Sequence, residues 1–549
     1  MRTDRAATGG WSDRGLQDQV KCYEPAVRRE SRVIGRRGQI LMATNFLTTT
    51  NRTRPDSNIA PALLLMAVPF VVGAFLLIWN SGIEESFPYF FILPWLALLA
   101  IVLLLPSIVL YHQGKFTLYN PLVFATFSYF FPAFVVGGIS LASGWSQPYF
   151  LSYIQDAEYN LPFTIVLIAL GFAGLSIGYF LPFGRRIGEM IDGWLPHTDY
   201  EPSAYVTPAL VLLGLGLINT VLAFALGILG FQKAQEIGTY DGLIFLTTLF
   251  WMEASFMLWL VIFKRGRYTT GTTLLAGMLA ATALARVLFS GSRGVLLTVV
   301  ISIGLAYLLS GREFKFKQAV WAGALLMFAV VGGMIYGSTF RSVKGTEERQ
   351  DIGQYTENIF STFEQVGRSN TTSSFDLALT SIAERLDGLS SVAVVVSNYE
   401  QLAPYEEGYG LDSNIQKDLM TFLIPRVIWP DKPVASEPRR YSDLYFNYSE
   451  NSFTITPMGD LLRNYGVPGI FIGMLLLGIL LRSIYRALIE DQQVVTWHAV
   501  MYFMLLTAIS YESFYGSIVP YMFKVGTTTA VGLVFIHFLL KRLYFGQAK

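Results

Sequence analysis

The groups in this chain best placed to do chemistry are arginines and carboxylates at the edges of apolar runs. Arg293 stands in the turn Ser290-Gly291-Ser292-Arg293-Gly294, between two such runs. Arg286 lies near the end of the first of them. A guanidinium is always charged and offers a planar fork of donors, so two of them at a membrane edge make a fixed positive site at the outer membrane surface. The plainer reading of Arg286 is a side chain snorkelling to the interface. Glu253 lies near the middle of an apolar run, where an ionisable group is a functional candidate by default. Its plainer reading is a protonated packing group, because burial raises a carboxyl pKa. Glu512 and Lys524 flank the last connection and are spaced to pair with each other.

Other chemistries are poorly served. The single cysteine, Cys22, excludes a disulfide framework and a cysteine-based zinc site. No Walker loop, HExxH or GxSxG motif is present. Forty basic against 39 acidic residues give no bulk attraction for nucleic acid.

The elements that must position these groups are membrane helices. The 549-residue chain is 53% hydrophobic and only 14% charged, about half the charge of a soluble domain. Twelve stretches approach the roughly 20 apolar residues a spanning helix needs: about 59–79, 88–111, 119–142, 161–183, 207–229, 242–263, 270–289, 294–310, 318–337, 467–486, 497–514 and 519–540. Lys and Arg concentrate in alternate connections: Lys115; Arg185 and Arg186; Lys264, Arg265 and Arg267; Arg312, Lys315 and Lys317; Arg482 and Arg486; Lys541 and Arg542. The positive-inside rule places these, and both termini, in the cytoplasm. His112, His197, His498 and His537 then fall at or near the cytoplasmic side, which leaves no external catalytic histidine. The expected fold is all-α: a polytopic membrane protein of about 12 helices with one large external loop.

Four regions follow. Residues 1–58 form a basic cytoplasmic tail of disordered composition, with translation starting at Met1 or Met42. Residues 59–337 hold spans 1–9, 338–466 the external loop, and 467–549 spans 10–12 with a short cytoplasmic end. The loop carries 11 basic and 18 acidic residues, so an anion site within it must be a local cluster of arginines. Residues 345–358 read as loop or a short exposed helix. Ser373 or Ser374 can cap a helix whose apolar face is Phe375, Leu379, Ile382, Leu386 and Leu389. Asn414 can cap a second, running to Leu423. Prolines 425, 430, 433 and 438 then predict an extended, rigid strap whose Trp429 suits a membrane surface or a sugar ring.

Four ordered motifs give the chain a family likeness. They are Ser290–Gly294; Ile382-Ala-Glu-Arg-Leu-Asp-Gly388; Ile424-Pro-Arg-Val-Ile-Trp-Pro-Asp-Lys-Pro433; and Phe453-Thr-Ile-Thr-Pro-Met-Gly-Asp460, running into Asn464-Tyr-Gly-Val-Pro-Gly469. With the topology, over about 60–540, they make the chain resemble the O-antigen polymerases, Wzy-type oligosaccharide repeat-unit polymerases of the bacterial envelope. The resemblance implies a GT-C-like, metal-independent glycosyltransferase in the inner membrane that needs no cofactor. Its substrate would be undecaprenyl-diphosphate-linked oligosaccharide, joined at the outer face to another lipid-linked unit. Its partners would be membrane lipid, a chain-length regulator and a flippase, with no nucleic acid. Arg293 matches the family's arginine-glycine element and Arg286 stands beside it. Arg385, Arg426 and Lys432 match basic residues of the loop motifs and would bind diphosphate or sugar. The related ligases use an external histidine, so here the general base would be a carboxylate: Asp387 or Asp460, with Glu384 third.

A transporter or flippase is the main alternative, since twelve spans with both ends inside suit a carrier. Glu253 favours it; the lack of matching halves and the large loop do not. A ligase transferring the chain to another acceptor, and a non-catalytic scaffold, are the others.

Overall fold

In a computed structural model, the described residues are 88–229, 240–267, 269–291, 293–312, 316–344, 352–368, 380–433, 436–449, 452–490 and 494–545. The tail, its Met42 and the expected span over 59–79 lie outside them. Among the described residues the chain is helical, with no strand. Eight helices among the described residues are long and apolar enough to cross a membrane, so the chain is read as a multi-pass membrane protein.

The first five helices are α1 (Leu93–His112), α2 (Pro121–Ala142), α3 (Ala157–Phe180), α4 (Pro182–Asp192) and α5 (Val206–Ala225). Pro132 lies in the π-wound middle of α2, Thr126–Val136, where a missing N–H interrupts the usual hydrogen-bond ladder. Next come α6 (Asp241–Thr247), α7 (Leu249–Arg265), α8 (Thr270–Ser290), α9 (Arg293–Leu309) and α10 (Phe316–Lys344). The long connection contains α11 (Ile352–Arg368), a short helix over 380–386, α12 (Gly388–Glu406), α13 (Asn414–Thr421) and α14 (Pro438–Phe446). The chain ends with α15 (Thr456–Leu488), α16 (Thr496–Ala508) and α17 (Tyr515–Leu540).

The expected span over 294–310 is met by α9, whose apolar stretch is Gly294–Leu309. One expected span is shorter than foreseen. The stretch 497–514 yields only the 13 residues of α16, because the helix stops at Ala508 before the polar Ser510-Tyr511-Glu512-Ser513. α15 merges the start of the tenth span with a preceding segment. Its backbone leaves helical values at Gly466, φ 69° and ψ −166°, just before Pro468.

A glycine stripe builds the centre. A Cβ on Gly174 or Gly178 of α3 would fall 2.7 or 2.0 Å from the Phe471 or Leu475 carbonyl of α15. Gly184 and Gly188 of α4 extend the stripe against Arg482 and Ser483. Lacking side chains, these positions let α3 and α4 lie backbone-to-backbone on α15, as small residues do in membrane bundles. α15 is thereby the axis that presents Asp460, Arg463 and Asn464 at one end and Arg482 and Arg486 at the other.

The connection is not a free lobe. Residues Gly388–Val396 of α12 are all buried, against α3, α15 and α14. The expected apolar helix through Leu389 breaks at Asp387, whose side chain instead starts α12 by accepting from Ser390 N at 2.9 Å. Ser373, Ser374, Phe375 and Leu379 lie outside the described residues. Asn414 is not a cap: Ser413 takes that position, φ 47°, and Asn414 turns its side chain inward. The strap over 424–433 is not extended. Pro425 O accepts from Ile428 N and Trp429 N, both at 3.0 Å, and Trp429 O accepts from Lys432 N at 3.2 Å, so consecutive turns fold it up. The prolines set φ but leave their carbonyls free to close turns.

Candidate anion-binding and acid–base site

The start of α15 carries a buried polar network. Asp460 and Arg463 are one helical turn apart, and both side chains are fully buried. Arg463 Nη2 donates to Asp460 Oδ1 at 3.0 Å and to Asn414 Oδ1 at 3.1 Å. Its Nη1 donates to Glu406 Oε1 at 2.7 Å, and Tyr445 donates to the same oxygen at 2.8 Å. Asn414 donates to Asp460 Oδ1 and to Ser436 Oγ, both at 3.0 Å. Asn464 donates to Asn414 Oδ1 at 2.8 Å, and Gly516 N donates to Asp460 Oδ2 at 3.2 Å. The rings of Tyr441, Tyr445 and Phe514 stand 5.7–5.9 Å from the guanidinium carbon. One network thus ties α12, α13, α14 and α17 to α15. Burial pushes the Glu406 carboxyl up from its ordinary range, and Arg463 pulls it back.

Arg463, Glu406 and Asn414 went unnoticed in the sequence as a set. Arg463 had one legible signal, its place three residues after Asp460 in Gly459-Asp-Leu-Leu-Arg463. Glu406 is 57 residues away from it in the chain and had none.

The expected site residues are dispersed around this network. Asp387 is buried, accepting from Ser146 Oγ at 2.8 Å as well as from Ser390. Burial pushes its carboxyl up to about 6, against the pull of those hydrogen bonds. Its oxygens are committed to holding α12 to the loop after α2. Those of Asp460 are committed to the network. Glu384 and Arg385, by contrast, are exposed on the short helix over 380–386. No ion pair joins Arg385 to Glu384 or Asp387 among the described residues; instead Arg385 lies in the field of Arg341. Phe340, next to Arg341, packs on Gly291: a Cβ there would fall 2.4 Å from its ring, and φ is +56°. Gly291 is therefore required for both its close approach and its left-handed backbone. Arg293 opens α9 just beyond; its side chain lies outside the described residues.

Arg286 points into the bundle rather than snorkelling. Its Nη1 donates to Thr220 Oγ1 at 3.3 Å and to Thr248 O at 3.4 Å. Its guanidinium covers the Trp251 ring at 4.7 Å, and Tyr521 of α17 lies in its field. Among the described residues it has no carboxylate partner. Arg426 donates to Pro430 O at 3.3 Å and Lys432 to Ile424 O at 3.2 Å, both within the strap. Lys432 feels Lys524 and Arg426 as like charges. The expected Glu512–Lys524 pair does not form among the described residues: Glu512 lies near Tyr129, Lys524 near Lys432. Tyr521 and Lys524 are one turn apart, so α17 brings the Arg286 region and the strap to neighbouring positions.

The family described as a domain of unknown function, DUF8712, matches residues 190–491, just over half of the chain. The chain belongs to the DUF8712 family. No curated protein and no solved structure matches it. The matched span includes Arg286, Arg293, the strap and the Glu406–Asn414–Asp460–Arg463 network, and stops short of Gly516 and Lys524 on α17. Among the described residues no group of three or more His, Cys, Asp or Glu could hold a metal ion.

Proposed function

We propose that the protein polymerises lipid-linked oligosaccharide repeat units at the outer face of a bacterial inner membrane. The observation that carries this reading is Arg286, a guanidinium turned into the bundle with no carboxylate partner among the described residues. A leaving diphosphate gains negative charge as its bond to the sugar breaks. Fixed guanidinium groups in a low-dielectric setting stabilise that charge. In the reaction, an acceptor sugar hydroxyl attacks the anomeric carbon of the donor chain. The new glycosidic C–O bond forms, the bond from the anomeric carbon to the diphosphate oxygen breaks, and the lipid diphosphate departs with the electron pair. The hydroxyl proton passes to a carboxylate. Glu384 takes that role best, because it is exposed beside Arg385, whereas Asp387 and Asp460 are enclosed and act as positioning residues. Arg286, Arg293 and Arg385 supply the positive charge for the diphosphate.

The test is the length distribution of surface polysaccharide on a gel, with the gene deleted and then restored. Wild type should restore the ladder. Arg286→Ala and Arg293→Ala should leave single repeat units while the protein still reaches the membrane. Normal-length polymer in both variants would sink the assignment. A second reading, transport of the lipid-linked unit, is favoured by Glu253. It is fully buried, and neither carboxyl oxygen has a hydrogen-bond partner among the described residues. Under that reading polymer length on delivered units is unchanged and undelivered units accumulate on the cytoplasmic side.

A further inference from the structure

The segment Leu419–Lys432 combines two features that no role above requires together. Met420 and Ile428 are 77% and 76% exposed, and Leu423, Ile424, Val427 and Trp429 are exposed as well. Among these apolar side chains stand Arg426 and Lys432, with Lys524 contributed by α17. None of the three cations has an ion pair among the described residues.

The depth of the segment follows from its neighbour. α13 runs alongside the spanning helix α17 in the same direction: Ile415 touches Gly516, and the Phe422 ring meets Phe523 at 5.3 Å between centroids. Seven residues of helix advance about 10 Å. The turns after Phe422 therefore begin about 10 Å along a helix whose apolar length crosses the bilayer. Exposed leucine, isoleucine, methionine and tryptophan at that level meet lipid more favourably than water. The folded turns also satisfy their own carbonyls: Pro425 O, Trp429 O, Ile424 O and Pro430 O each accept a hydrogen bond. Such self-satisfaction is what backbone at a membrane surface needs.

We propose that Leu419–Lys432 lies in the bilayer interface on the loop side, and that Arg426, Lys432 and Lys524 together seat the phosphate of an anionic phospholipid. Charge complementarity selects this occupant: three cations gathered with no ion pair among the described residues repel one another, and a phosphodiester between them removes that repulsion. The Lys432 ammonium is pushed below its ordinary range, first by desolvation and then by Lys524 and Arg426. Asp418 is a carboxyl in the same field, and Asp431 precedes Lys432 in the chain; Asp418 lies toward Ser436 and Asp460, on the α13 side of the cluster. The inference does not depend on the polymerase reading, since any multi-pass protein carrying this segment would hold lipid in the same way.

The full-length protein with Cys22→Ser and Ile428→Cys, labelled with a bimane fluorophore, tests the placement. In vesicles of phosphatidylcholine with phosphatidylglycerol, acyl-chain-brominated lipid should quench the label as strongly as one at Val534→Cys on α17. A label at Glu400→Cys should be quenched by aqueous iodide instead. Quenching of the Ile428 site by iodide and not by brominated lipid would overturn the placement. Lipid retained through detergent purification tests the occupant. Phosphatidylglycerol should be retained severalfold less by the Arg426→Gln, Lys432→Gln, Lys524→Gln triple variant. Equal retention by wild type and variant would overturn the phosphate seat. So would retention of polyprenyl phosphate alone from a mixture containing both lipids.

Discussion

The two ends of α15 both bury charge, and they do so differently. At the end away from the long connection, each buried cation has a carboxylate. Arg482 meets Glu490 at 2.6 Å, which also receives Lys115 at 3.4 Å. Arg486 lies 3.6 and 3.7 Å from Glu189 and Asp192, and Lys264 lies 3.5 Å from Asp199. His197 and His498 stack edge-on in the same region, 5.7 Å apart. At the connection end one cation, Arg463, pairs with Asp460 and Glu406 inside the wall, while Arg286, Arg426, Lys432 and Lys524 have no ion pair among the described residues. The buried cations of the first end are thus matched by carboxylates. The second leaves a local cluster of cations without ion pairs next to apolar surface, the condition under which an anion contributes binding energy.

The contrast can be broken experimentally, most severely at Arg463. Arg463→Ala leaves Asp460 and Glu406 buried without their common partner, and breaking such a pair costs about 3–5 kcal/mol. Thermal unfolding in detergent should show a large loss, and Arg463→Lys should not restore it, because an ammonium cannot reach Glu406, Asn414 and Asp460 as one fork. Stability within error of wild type would mean the network is incidental.

The carboxyls at the two ends should respond to pH with opposite sign. Asp387, at the connection end, is raised from 3.8 to about 6. A carboxyl that holds its proton more tightly when folded makes stability fall as pH rises between those two values, then stay level above them. The contribution is at most about 3 kcal/mol, at 1.36 kcal/mol per pKa unit. Asp387→Asn keeps an oxygen for Ser390 N and should remove this part of the pH dependence. Parallel curves for wild type and variant would contradict the assigned cause. At the other end the side-chain hydrogen bond from Arg185 holds Glu189 below its ordinary range, so its small contribution is present at neutral pH and lost on acidification.

Arg482→Ala should cost less than Arg463→Ala, about 2 kcal/mol for a charged hydrogen bond, because Glu490 keeps Lys115. It should also leave polysaccharide length unchanged for the protein that folds. Loss of polymer in a folded Arg482→Ala protein would erase the functional distinction between the ends. The smallest effect belongs to Lys417→Ala. Its pair with Asp412 is 40% exposed on both sides and is worth about 0–1 kcal/mol.

Local composition made much of this architecture legible. Apolar runs near 20 residues mark the spans because lipid offers no partner to an open backbone. Of the expected twelve, the run over 59–79 lies outside the described residues, and the stretch over 497–514 gives a helix of only 13 residues. Asp460 stood out by its motif, yet nothing local showed that its oxygens would be filled by Asn414, Arg463, Asn464 and Gly516. The strap read as extended because proline limits φ; its turns depend on carbonyls closing onto later N–H groups.

Hydrophobic period, charge bias and glycine spacing act over a few residues, so the chain by itself determined that it would be helical, membrane-embedded and divided by one long polar connection. Which charges meet was decided only by the tertiary structure. Glu406 and Arg463 are 57 residues apart, and Asp387 and Ser146 are 241 apart. The first rests on glycines of α3 that let α15 approach within backbone contact; the second rests on Gly137 of α2, where a Cβ would fall 2.1 Å from the Leu386 carbonyl oxygen. A packing distance of that kind belongs to no single segment of sequence.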